Sequence, residues 1–286
     1  MMHTKKVRIW VLLLAVFVVQ CERKIPSNEI AFVSDRAGNQ DIYLLDVDTD
    51  SALALTQHEA EDWAPNWSPD GRKLAFASTR AGGWNIFIMD MENRRIVQLT
   101  DTGKDRRPSW SPTGSRIAFT SERDENSEIY IMKSDGSEQM NVTHHRARDD
   151  RPLWSPDEHR IAFSSDRDGS WDIYILNIET GTTDKITEDV LSEYPGAWSE
   201  DGARLLFVSG DDIVQYSFEG ERTTVLTQDD SREGTLSYSP DGAQIVFDSD
   251  RSGDYDIWIM NADGTDPKNV TQHPAFDWFP QWRPCP

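Results

Sequence analysis

Hydrophobic residues in this chain come in short alternating runs with no helical period. One run reads large, small, large at Leu74, Ala75, Phe76, at Ile117, Ala118, Phe119 and at Ile161, Ala162, Phe163. That alternation suits a strand buried on both faces, with a close neighbour on one of them. A second run of Ile-Tyr-Ile type follows each, at Ile42 to Leu44, Ile86 to Ile88, Ile129 to Ile131, Ile173 to Ile175 and Ile257 to Ile259. Before each pair lies a stretch closed by an aromatic (Ala64 to Ser68, Arg107 to Ser111, Arg151 to Ser155), and after it a stretch ending in Thr56, Thr100, Thr143, Thr187, Thr227 or Thr271. The unit is therefore four short strands, here lettered A to D in chain order, with a Ser-Pro-Asp-Gly type turn between A and B. In that turn Pro presets φ and Gly permits a positive one.

The closing aromatics are Trp67, Trp110, Trp154, Trp198, Tyr238 and Trp282, spaced by 43, 44, 44, 40 and 44 residues. A fixed period of this size means stacked supersecondary units, and six four-stranded units without helices predict an all-β, six-bladed β-propeller. The first strand after the leader is of type B (Glu29 to Ser34) and the last is of type A (Pro280 to Arg283). The C-terminal strand is thus expected to complete the N-terminal blade, leaving no open sheet edge.

Ahead of the repeats, Lys5, Lys6 and Arg8 precede eleven apolar residues, Ile9 to Val19, and then Gln20-Cys21. That run is too short to span a bilayer and reads as an export signal. The expected organisation is a signal over residues 1–21, a short tether over 22–28 and the propeller over 29–286. The net charge of −21 argues against nucleic acid as a partner, which needs a basic face to neutralise phosphates.

The units resemble the propeller repeats of the TolB-type family in their Trp-Ser-Pro-Asp-Gly, Ile-Ala-Phe, Ser-Asp-Arg, Asp-Ile-Tyr and Leu-Thr elements, over essentially the whole chain past the signal. The Val-Val-Gln-Cys end of the signal resembles a bacterial lipoprotein signal, which implies a lipid on Cys21. TolB proper places an α/β domain before its propeller, and only Glu22 to Asn28 stand there in this sequence. The resemblance therefore implies the propeller rather than the Tol-Pal role as a whole. Related peptidases attach a hydrolase domain, but the Gly-x-Ser-x-Gly turn of that chemistry does not occur here. The expected function is a non-enzymatic module of the bacterial envelope, binding a protein, peptide or small ligand at the loops joining B to C and D to A. The alternative is a metal-assisted carbohydrate lyase or hydrolase of propeller type.

Four groups of candidate residues fall on those loops. Five residues before each closing aromatic stands an acid: Asp62, Asp105, Asp149, Glu193, Glu233 and Asp277. At a channel mouth, carboxylates roughly 9 Å apart would repel by about 2 kcal/mol at an effective dielectric of 20. Either backbone amides and loop arginines compensate them, or the ring attracts a cation or basic peptide; no other cofactor is expected. Lys104, Arg106, Arg107, Arg146, Arg148 and Arg151 form a basic sector on neighbouring loops, suited to a carboxylate or acidic peptide or to pairing with Asp105, Asp149 and Asp150. Trp63, Phe276, Trp278 and Phe279 are expected opposite that sector, as core or as an anchor point. His58, His144, His145 and His273 follow the strand D signal, and a lyase would require them to converge on a metal.

Overall fold

A computed structural model describes residues 28–188 and 190–285. The export signal and Cys21 lie outside the described residues. The chain forms six four-stranded antiparallel sheets, and the ring closes as the strand types require. The closing blade combines β1 (Glu29–Ser34), β2 (Asp41–Asp46) and β3 (Ser51–Ala54) with the C-terminal β24 (Asp277–Trp282), in the order β24-β1-β2-β3. The next two blades are β4 (Asp62–Trp67), β5 (Lys73–Ser78), β6 (Asn85–Asp90), β7 (Ile96–Gln98), and β8 (Asp105–Trp110), β9 (Arg116–Ser121), β10 (Glu128–Lys133), β11 (Met140–Asn141). The fourth holds β12 (Asp149–Trp154), β13 (Arg160–Ser165), β14 (Asp172–Asn177) and β15 (Thr183–Lys185). The fifth and sixth are β16 (Glu193–Trp198), β17 (Arg204–Ser209), β18 (Asp212–Ser217), β19 (Arg222–Val225), and β20 (Glu233–Tyr238), β21 (Gln244–Ser249), β22 (Asp256–Asn261), β23 (Lys268–Asn269).

Each innermost strand starts two or more residues earlier than the apolar pattern suggests, on the acid itself, because the acid pairs in register with the last serine of the next strand, as Asp62 does with Ser78. At the other end the strand turns on a serine. Ser68 Oγ accepts the Lys73 amide at 2.9 Å and donates to Asp70 at 2.6 Å, which fixes the turn before the second strand begins. Gly71, at φ 64°, supplies the left-handed residue of that turn. The threonine closing each outer strand has a matching role: its hydroxyl accepts the amide that opens the third strand, at 2.9 Å for Ile42 to Thr56 and for Ile86 to Thr100.

The core lies between blades rather than in one centre. Phe32, Phe76, Phe119, Phe163, Phe207 and Phe247 are fully buried on the second strands, and Trp67, Trp110, Trp154, Trp198 and Trp282 are buried at the ends of the innermost ones. Trp67 packs with Ala31, Ile42 and Leu44 of the preceding blade, so each tryptophan glues two sheets together. Burying one removes up to 250 Å² from water, an upper limit near ~6 kcal/mol at about 25 cal/mol per Å².

Candidate functional site

The innermost strands do not run straight into their tryptophans. Five of them carry an explicit register shift just after the acid, as between Asp150 and Leu153 or between Trp63 and Asn66, and the sixth shows the same irregularity where β24 meets β1. At the bulge the third residue takes a left-handed backbone in four blades: Ala64 at φ 50°, Arg107 at 53°, Arg151 at 59° and Phe279 at 56°. Each is followed by a proline, whose missing N–H is no loss where the ladder is interrupted. A non-glycine residue held there costs on the order of 1 kcal/mol or more and persists only when its surroundings impose it. Its effect is to re-aim the side chain. Arg107, Arg151 and Phe279 thereby line an axial cavity of about 80 Å³, together with Asn66, Thr235 and Gln281.

Two charged residues line this cavity, Arg107 and Arg151, and two carboxylates, Asp150 and Asp248, act on them from beside it. Arg107 Nε stands 3.4 Å from Asp150 Oδ1, and its guanidinium lies 4.6 Å from the Trp63 ring centre. Arg151 lies 4.1 Å over the Tyr194 ring, and its Nε is buried with no hydrogen-bond partner among the described residues. Asp150 accepts the Thr120 hydroxyl at 2.8 Å and the Arg151 amide at 2.9 Å. Burial works against its charge, but the two arginines and these hydrogen bonds hold its carboxyl below the usual range. Burial pushes both guanidinium groups down, Arg151 to about 10 with the repulsion of Arg107 adding to it. Asp248, on β21, behaves the opposite way. Burial pushes its carboxyl up to about 7, against hydrogen bonds from the Phe279 and Thr235 amides and the attraction of Arg151.

The predicted acidic ring is present as a set of positions but not as an exposed ring. Asp62, Asp105, Asp149, Glu193, Glu233 and Asp277 are buried, and five of them meet the arginine that follows the second strand of their own blade. The pairs are Arg36 with Asp277 at 2.8 Å, Arg80 with Asp62 at 2.7 Å, Arg123 with Asp105 at 3.0 Å, Arg167 with Asp149 at 2.9 Å and Arg251 with Glu233 at 2.6 Å. The fifth blade has Asp211 where the others have that arginine. Burial pushes the Asp149, Glu233 and Asp277 carboxyls up despite their partners. Five of the six acids are therefore members of a repeating internal ion pair that ties a loop to an inner strand, the compensation by loop arginines that was the first of the two roles expected for them.

The basic sector divides. Arg107 and Arg151 reach the channel. Arg106 pairs with Glu122, and Arg148 pairs with Asp166 at 2.8 Å and covers the Trp171 ring, while Lys104 and Arg146 are exposed. The aromatic group is not opposite this sector but against it. Trp63 meets Phe279 edge-on at 4.6 Å, and Arg107 sits over both rings, because the bulges of three successive blades point to the same axis. Phe276 stands out on the loop, 43% exposed and 6.0 Å from Trp278.

The histidines follow local rules. His58, His145 and His273 each accept, on Nδ1, the amide two residues on, at 2.9, 3.1 and 3.0 Å. Each recurs because it shapes its loop, and His144 beside them is exposed with φ 45°. Among the described residues no three His, Cys, Asp or Glu side chains form a metal-binding group.

Asp248 and Gly234 escaped the pattern reading, and a column-by-column comparison reveals them. Asp248 occupies the strand position held by Val33, Ala77, Thr120, Ser164 and Val208 in the other blades, where it is the one charge. Gly234 is the one glycine among Trp63, Arg106, Asp150, Tyr194 and Trp278. The two belong together: a Cβ on Gly234 would stand 1.9 Å from Asp248 Oδ2.

Six blades closed around an axial cavity lined by two arginines and an aromatic side chain define a β-propeller with a charged channel. Comparison with known proteins is consistent with that class. The family described as TolB beta propeller domain matches residues 25–107 and 101–236, and the chain belongs to it. An uncharacterized protein of Agrobacterium fabrum is 36% identical over 73 residues, 26% of this chain and 25% of that protein. The Tol-Pal system protein TolB of Anaeromyxobacter dehalogenans is 42% identical over 45 residues, 16% of this chain and 10% of its own length. The matched stretches thus span a quarter or less of these relatives. Among solved structures, TolB from Acinetobacter baumannii superposes with a TM-score of 0.80 over 90% of this chain and 67% of its own, at 23% identity.

Proposed function

We propose that this protein is a non-enzymatic binding module of the bacterial cell envelope, exported by residues 1–21 and held to a membrane by a lipid on Cys21, and that it binds a partner protein or peptide through the loop-face mouth of its channel. The family membership and the similarity to TolB proteins support the envelope setting. One observation carries the binding site: Arg107 and Arg151 are held in left-handed backbone so that both guanidinium groups face the cavity, flanked by Trp63, Phe279 and Tyr194. Arginine and large aromatics are the residue types that dominate binding energy at interfaces. The innermost strands run from the loop face towards the Ser-Pro-Asp-Gly turns, and the chain enters β1 on the turn side. A lipid on Cys21, joined to Glu29 by a leash of at most about 27 Å at roughly 3.4 Å per residue, would hold the turns towards the membrane and leave the channel mouth to the aqueous space.

The test is affinity capture from detergent-solubilised envelope with wild type and with an Arg107→Gln, Arg151→Gln double variant of matched melting temperature. The reading predicts one or more partners retained by wild type and lost from the variant. Identical capture by both would place the binding surface elsewhere. Mass spectrometry of the N-terminal peptide tests the anchor, since an unmodified or uncleaved Cys21 removes it.

A further inference from the structure

We propose that the channel is a subsite for a single carboxylate, which binds on the Arg107 and Arg151 guanidinium groups and brings a proton onto Asp248 as it does so. The inference rests on the binding-module reading above and gives its site a ligand chemistry.

Three features of the cavity lead here. First, the charges do not balance when Asp248 is protonated: Arg107 and Arg151 face one ionised carboxylate, Asp150. A surplus positive charge in a cavity of about 80 Å³ calls for one anion. Second, a donor is already in place, since Arg151 Nε is buried without a partner among the described residues while its guanidinium is fixed against the Tyr194 ring. Arginine forks match carboxylates bidentately. The volume takes a carboxylate and a short stem, and the wall beyond the arginines is apolar at Pro108, Pro152, Leu153 and Phe279.

Third, Asp248 is built in rather than tolerated. Its carboxylate fills the space above Gly234, where any side chain would collide with it, and accepts the Phe279 amide at 3.2 Å. The groups that face it are the Thr235 amide from β20, the Phe279 amide from β24, Arg151 from β12 and, beyond the end of β21, Tyr255, whose hydroxyl is pushed up by burial first and then by the charges of Asp250 and Asp248. Arg151 is the one cation among them. An ionised Asp248 therefore competes with an incoming carboxylate for Arg151, and a protonated one does not. Because Asp248 changes charge at about pH 7, each carboxylate that binds above that pH brings one proton onto Asp248, and well below it none.

The experiment titrates the wild-type chain by calorimetry with three capped peptides: acetyl-Ala-Ala-Ala with a free C-terminal carboxylate, acetyl-Ala-Glu-Ala-amide, and acetyl-Ala-Gln-Ala-amide as the neutral control. At least one carboxylate peptide should bind, the control should not, and the affinity should fall about tenfold between pH 6 and pH 8. Preference for the first peptide assigns a chain terminus and preference for the second an acidic side chain; both agree with the proposal. Asp248→Asn, which keeps an acceptor for the Phe279 amide, should bind at both pH values with the wild-type pH 6 affinity. Arg151→Gln should lose binding, and Arg151→Lys, which keeps the charge but not the fork, should lose at least tenfold.

Equal binding of the Gln peptide, a pH trend that survives in Asp248→Asn, or no carboxylate binding to folded wild type would each overturn the proposal. An envelope partner captured equally at pH 6 and pH 8, and lost only from the arginine double variant, would overturn it while sparing the binding-module reading. Peptide binding with the predicted pH trend, in a chain that captures no partner, would do the reverse.

Discussion

Asp248 is a buried carboxylate that keeps its proton to about pH 7, so its cost to the fold depends on pH. The unfolded chain releases that proton near 3.8, the ordinary value for an aspartate. The folded state therefore binds the proton more tightly, and its stability falls as pH rises from the unfolded value through the folded one. At 1.36 kcal/mol per pH unit the penalty above neutral pH reaches at most about 4 kcal/mol. Asp248→Asn carries no such charge, so denaturant unfolding should show it gaining on wild type by about 2 to 4 kcal/mol at pH 8 compared with pH 4. A difference that is the same at both pH values would contradict this account of the site. Gly234 supplies an independent check, because a methyl there meets the Asp248 carboxylate at 1.9 Å. Gly234→Ala should cost about 1 to 3 kcal/mol by overpacking, and the cost should largely vanish in an Asp248→Ser background. Ser164 stands at the corresponding position of the fourth blade. Unequal double-mutant sums would measure the coupling directly.

At the scale of the strand, the innermost element has two tasks and the sequence displays only one of them. The closing tryptophans and the Ser-Pro-Asp-Gly turns recur because every blade must pack on its neighbour and reverse its chain, and those needs are identical six times over. That repetition made the blade count and the shared closing blade readable. The channel was not readable in the same way. Which side chain faces the axis depends on a bulge and a left-handed residue at Arg107, Arg151 and Phe279, and alternation along a strand gives the wrong face once a residue is inserted. The acids recur for the first of the two reasons weighed for them, a structural ion pair with the arginine of the Ser-Asp-Arg element, whereas Arg107 and Arg151 have Ala64, Pro195, Thr235 and Phe279 at their positions in the other blades. Two predictions belong to this scale. Trp154→Ala should cost roughly 3 to 5 kcal/mol in thermal or denaturant unfolding, and an unchanged melting temperature would contradict its place between blades. Arg36→Ala leaves Asp277 buried without its cation on the strand that closes the ring, so it should cost about 3 to 5 kcal/mol. Truncation after Phe276 goes further, removing β24 and baring the edge of β1, and should aggregate; a soluble truncated chain of native stability would mean that the ring closes in another way.

For the molecule as a whole, the arrangement is an acidic body with two arginines, Arg107 and Arg151, on the axis. A net charge of −21 repels acidic partners from most of the surface, and the channel is where that repulsion is locally reversed. Selectivity of this kind comes from placing charge rather than from total charge. Outer strands such as β19, with Val225 half exposed, offer a competing surface, since edge strands can recruit partners by adding a strand. The measurement that separates the two is photocrosslinking in cells, with photoactivatable benzoylphenylalanine placed at Phe279 in the channel or at Val225 on the outer edge, in proteins checked for equal abundance and melting. The account predicts a discrete crosslinked partner from position 279 that disappears when Arg107 and Arg151 are both replaced by Gln, and no such product from position 225. A partner crosslinked from 225 and absent from 279 would contradict it.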